Sequence, residues 1–162
     1  MSECIPKPTI TLVYADRELI KRYTQNNPPD TIISWLYLGK NVLLCEDITK
    51  ILGGMYHRIM IGGELQNTAR NFRQEFIDYV GKMNNAHAMG DTCWWLTSIS
   101  EKNPYVSDLF LNFCYLHVGI KHIKESKQDL IIIFESTALM KSICKNCIKE
   151  EYIELQINNK NP

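Results

Sequence analysis

The chain has 162 residues, 45% of them hydrophobic and 22% charged, as in an ordinary globular domain with a real core. Its 18 Lys and Arg balance 18 Asp and Glu, and the balance holds in each half, which argues against a nucleic-acid face. No apolar run approaches the roughly 18 residues of a membrane span, and residues 1–15 lack the charge-then-apolar order of an export signal, so a cytoplasmic domain is expected.

Thr9 to Ala15 is rich in β-branched and apolar residues and reads as a first strand. Asp16 after it can cap a short helix with Leu19, Ile20 and Tyr23 on one side. Asn26 to Asp30 holds two prolines and breaks the pattern. Thr31 to Leu38 reads as a second strand and Val42 to Cys45 as a third. A short helix from Ile48 to Leu52 then ends on Gly53 and Gly54.

The clearest helix runs from Glu64 to Met83. Leu65, Ala69, Phe72, Phe76, Tyr79, Val80 and Met83 recur at steps of three and four along it. A polar loop from Asn84 to Asp91 precedes a strand from Cys93 to Ser100. The helix opened by Ser107 and running to about Lys124 is apolar on most sides and should be buried. Leu130 to Phe134 is a continuous apolar run of the length of a central parallel strand. Ser136 caps a last helix with Leu139, Met140, Ile143, Cys144 and Cys147 facing inward, and Tyr152 to Ile157 is a final strand.

Strands alternating with helices imply an α/β fold: a single Rossmann-like domain over 1–162, with a mostly parallel central sheet and helices on both faces. Ligands in such folds sit at the carboxyl ends of the strands, which selects Asp16, the Ser98 to Ser107 segment and Glu135 with Ser136. Gly53-Gly54 and Gly62-Gly63 match neither phosphate-loop spacing, and neither pair sits between a clear strand and a helix start.

Trp94 to Ser107 concentrates the chemistry. Adjacent tryptophans on a strand put one indole on each face; then Ser98, Glu101, Lys102 and Asn103 crowd its carboxyl end ahead of Pro104. A carboxylate, an ammonium and an amide in one loop suit a hydroxylated or anionic ligand. The plainer alternative is a solvated loop, with both indoles in the core.

This segment, with Tyr79 to His87 before it and Leu130 to Ile143 after it, resembles bacterial surface-carbohydrate biosynthesis proteins of GT-B glycosyltransferase type. The match falls on Trp94, Trp95, Ser98, Glu101, Lys102, Asn103 and Ser107. The resemblance implies the acceptor-side, N-terminal half of a two-domain enzyme acting on a saccharide or lipid-linked acceptor. Glu101 would serve as acid/base or hydroxyl-binding carboxylate, Lys102 would hold a negative group, and Ser98 and Asn103 would bond hydroxyls. Trp95 or Trp94 would offer a platform to a sugar face. A nucleotide-sugar donor is implied only through a second domain or partner chain, since this chain has no donor-phosphate site, and no cofactor is expected within it. The competing expectation is a non-catalytic α/β ligand- or protein-binding domain, or a truncated, inactive gene product.

The remaining candidates are weaker. His87, read in the loop before the tryptophans, could act as a base or polar contact, or lie idle at the surface. His117 and His122 lack ligand spacing, and Cys144-Lys145-Asn146-Cys147 lacks a second ligand pair, so no metal is expected. The six cysteines are expected to be reduced, most of them small buried hydrophobes.

Overall fold

The computed structural model describes residues 8–87, 108–147 and 153–156. The chain is α/β. Among the described residues, five strands, β1 (Ile10–Tyr14), β2 (Ile33–Leu38), β3 (Tyr56–Arg58), β4 (Leu130–Phe134) and β5 (Ile153–Gln156), form one sheet in the order β3-β2-β4-β1-β5. Every pairing is parallel. The described helices are α1 (Arg17–Asn26), α2 (Val42–Leu52), α3 (Gly62–His87), α4 (Asp108–Glu125) and α5 (Thr137–Cys147).

The chain divides into two compact units, residues 1–60 with 119–162 and residues 61–118. The first holds the sheet. Leu130 to Phe134 lies between β2 and β1 with all five residues buried, as its unbroken apolar run requires of a strand covered on both faces. Leu12, paired with Ile132, and Leu36, paired with the same residue from the other side, are fully buried too.

Side-chain alternation assigns the helices to faces. Val13, Trp35, Tyr37, Ile131 and Ile133 form one cluster with Ile20 of α1 and with Cys45, Ile48 and Leu52 of α2. On the opposite face a Cβ built on Gly119 of α4 would stand 2.8 Å from Ile143 Cδ1 of α5 and 3.0 Å from Leu38 Cδ1. The directions of the connections explain this division. From β1 and β2 the chain moves toward the β3 edge, whereas from β3 and β4 it moves toward the β5 edge. Crossovers of one hand that run in opposite directions must use opposite faces.

The segment Val42 to Cys45 is not a strand: Val42 to Leu52 is one helix. Asn41 caps it, its side chain accepting from Leu44 N–H at 3.0 Å. Cys45, Ile48 and Leu52 then fall on one buried face, while Val42 and Leu43 stay 67% and 73% exposed. A run of four apolar residues fits either period, and the cap decided it. The sequence reading also missed β3, which pairs only with β2 at the sheet edge and is three residues long.

In the second unit α3 runs past Met83 to His87, so Asn84 to His87 are helical rather than a loop. Its inward seam follows steps of four through Thr68, Phe72, Phe76, Val80 and Asn84; Thr68, Val80 and Asn84 are buried, Phe72 and Phe76 half-buried. Tyr79, expected on that stripe, is 57% exposed. Phe72 meets Phe113 edge-on at 5.4 Å, and Phe76 tilts against Phe110 at 4.9 Å. Helix α4 is not buried all round, because Leu109 and Phe113 are each 39% exposed. Gly62 and Gly63 open α3 a few residues after β3, contrary to the expected absence of a strand before them. Their spacing still matches no phosphate loop.

Candidate functional site

Three of the five strands end side by side at the middle of the sheet's carboxyl edge. β1 delivers Ala15 and Asp16, β4 delivers Glu135 and Ser136, and β2 delivers Gly39, Lys40 and Asn41. The chain leaving β4 crosses one face, and the chains leaving its neighbours β1 and β2 cross the other. The end of β4 is therefore the topological switch point, where a crevice opens in folds of this kind.

Glu135 occupies that position, half-buried. Its backbone extends the ladder, Glu135 N–H donating to the Leu38 carbonyl at 3.3 Å. Glu135 Oε1 accepts from the Tyr37 hydroxyl and, at 2.6 Å, from Asn41 N–H. The Tyr37 hydroxyl lies 3.2 Å from the Asn41 carbonyl. Gly39 is a requirement of this arrangement, because a Cβ there would overlap the Glu135 carboxyl group.

Asp16 sits on the adjacent strand end but does other work. Its Oδ1 accepts from Leu19 N–H at 2.9 Å, the N-cap bond of α1. Arg17 beside it pairs with Asp47 of α2 at 2.7 Å. Ser136 likewise caps α5, its Oγ accepting from Leu139 N–H at 3.2 Å. The structure thus brings Asp16 and Glu135 to one edge and leaves only Glu135 uncommitted to a helix cap.

Ser98, Glu101, Lys102, Asn103, Trp94, Trp95 and Ser107 lie outside the described residues. His87 is the last residue of α3, not a loop residue. Tyr37, Gly39 and Asn41 were missed by sequence reasoning. The strand-end rule would have found them once Val42 to Leu52 was recognised as a helix, since that turns Gly39 to Asn41 into a strand-to-helix loop.

The thiols behave as core groups. Cys45, Cys114 and Cys147 are buried, Cys144 is half-buried, and none of the four is in a disulfide. Burial pushes the Cys45, Cys114 and Cys144 thiols up from their ordinary values; at Cys45 the Arg58 guanidinium opposes this while Glu135 and Glu46 add to it. Raised thiols are poor nucleophiles and poor metal ligands. No group of three His, Cys, Asp or Glu could hold a metal ion among the described residues. No described helix is long and apolar enough to cross a membrane.

Among the described residues, two cavities lie elsewhere. One of about 370 Å³ opens at the amino end of the sheet, among Ser34, His122, Glu125, Lys127 and Gln128. The other, a groove of about 530 Å³ in the second unit, is lined by Phe72, Phe76, Tyr79, Met83, Leu109 and Phe113. The chain matches no protein-family model, no curated protein and no solved structure.

Proposed function

We propose that this chain is the acceptor-side domain of a glycosyltransferase-like protein of surface polysaccharide biosynthesis, binding a saccharide or lipid-linked acceptor at the carboxyl edge of its sheet. The observation that carries the reading is the placement of a braced carboxylate, Glu135, at the switch point of a parallel sheet. Carboxylates recognise sugars through their hydroxyl hydrogens, and a crevice beside a strand end admits them. The resemblance carried by Trp94 to Ser107 adds Glu101 as the acid/base candidate, with Ser98, Lys102 and Asn103 as contacts. The nucleotide-sugar donor belongs to a second domain or partner chain.

The test is titration of the chain with oligosaccharide fragments and, separately, with nucleotide sugars. Saccharide binding that weakens in Glu101→Gln, without nucleotide-sugar binding, is the expected result. Nucleotide-sugar binding by this chain alone, or indifference to every saccharide, contradicts the reading.

A second reading, an α/β interaction domain without catalysis, is favoured by the apolar groove of the second unit, where Tyr79, Leu109 and Phe113 are exposed. Under that reading Tyr79→Ser abolishes partner binding and Glu101→Gln changes nothing.

A further inference from the structure

We infer that Glu135 is the ligand-binding carboxylate of the carboxyl edge, held by Tyr37, the Asn41 backbone and the bare backbone of Gly39 to receive a neutral polyhydroxylated ligand of the pyranose type. This rests on the saccharide reading above and adds the residues that place the binding group.

Both described bonds to the Glu135 side chain converge on one oxygen. The Tyr37 hydroxyl and Asn41 N–H reach Oε1, and Oε2 accepts from no group among the described residues. A carboxylate has roughly four acceptor positions on its two oxygens, so fixing one oxygen orients the other without consuming it. Brace and binding group are then one side chain. Gly39 serves the same end, since any Cβ there would displace the carboxyl group from this position. The residue sits at the end of the central strand, all five residues of which are buried.

The chemistry of the group selects the ligand. A carboxylate accepts hydrogen bonds from hydroxyls and repels phosphate, so the strand end at Glu135 favours a neutral polyol over an anion. Tyr37 faces it from β2, and Lys40 stands in the loop that carries Asn41. From α2, Cys45 and Glu46 share its electrostatic surroundings. Asp16, at the end of β1, is turned into the α1 cap.

The experiment is an NMR titration of the whole chain with methyl pyranosides and, in parallel, with inorganic phosphate at neutral pH. The wild type should bind a pyranoside and show no binding of phosphate. Glu135→Gln should weaken binding about tenfold or more, the effect of losing one charged hydrogen bond. In Tyr37→Phe, Oε1 loses one of its two bonds and the carboxylate is held less firmly, so pyranoside affinity should fall severalfold. A role of Tyr37 confined to folding would lower the melting temperature and leave the pyranoside affinity of the folded protein in place.

Equal pyranoside affinity in wild type and Glu135→Gln overturns the assignment of Glu135 and leaves the saccharide reading standing. Failure of the wild type to bind any pyranoside, or a preference for phosphate, overturns both. Should Glu135→Gln not fold, the pyranoside affinity of Tyr37→Phe decides, and an unchanged affinity counts against the inference.

Discussion

Asp16 and Glu135 leave neighbouring parallel strands side by side, and their side chains turn apart. Tyr14 pairs with Phe134, and Ala15 N–H donates to the Phe134 carbonyl at 2.7 Å, so the next residues emerge together at the carboxyl edge. Asp16 turns into the first turn of α1, whereas Glu135 reaches the other way, to Tyr37 and Asn41 of the β2 end. Two carboxylates one register step apart at the same edge therefore have separable roles.

Replacing Asp16 should measure the cap alone. Asp16→Ala loses the bond from Leu19 N–H and should cost about 1 kcal/mol. Asp16→Asn keeps an acceptor and should cost much less. Urea denaturation of both variants checks this; equal destabilisation by the two would show that the charge, not the cap, is what matters.

At Gly39 the Cβ of alanine would meet the Glu135 carboxyl, the far end of a flexible side chain. Glu135 should swing outward and lose its two bonds, at a cost on the order of 1–3 kcal/mol. In a double-mutant cycle, Gly39→Ala should then add little to Glu135→Ala, because the clash and the bonds disappear together. Full additivity would place the cost of Gly39→Ala elsewhere.

Gly119 offers a second packing test. Alanine gains about 1 kcal/mol of helix propensity over glycine, yet its Cβ would stand 2.8 Å from Ile143 Cδ1. Ile143→Val removes that methyl group and by itself costs about 1 kcal/mol. Combined with Gly119→Ala it should cost less than alone, so melting temperatures of the three variants should show positive coupling. Absence of coupling would mean that Ile143 yields without resistance.

Stability should fall at alkaline pH. Cys45, Cys114, Cys144 and Tyr56 all have folded values raised mainly by burial. For such groups stability is complete below the unfolded values, about 8.5 for a thiol and about 10 for tyrosine, and is lost as pH rises through the folded ones. Melting temperature should hold to about pH 8 and then decline. A flat profile to about pH 10 would refute the burial argument, and native-state thiol labelling should find Cys45, Cys114 and Cys147 slow to react.

What the sequence determined by itself was whatever depended on local pattern. Leu130 to Phe134 has no polar face, so it could only be an interior strand, and the structure seats it between β2 and β1. Asp16 and Ser136 precede apolar helical runs and cap them. Local pattern could not separate strand from helix at Val42 to Cys45, where the Asn41 cap and the burial of Cys45, Ile48 and Leu52 against β2 and its neighbours decided. Nor could it reveal β3, whose three residues are a strand only because β2 offers an edge.

The site divides the same way. Position after a strand marked Glu135, but its partners Tyr37 and Asn41 lie 98 and 94 residues away in the chain. Nothing in the spacing of these residues relates them. Their meeting follows from strand order alone, since inserting β4 between β2 and β1 sets the end of the fourth strand against the loop that leaves the second.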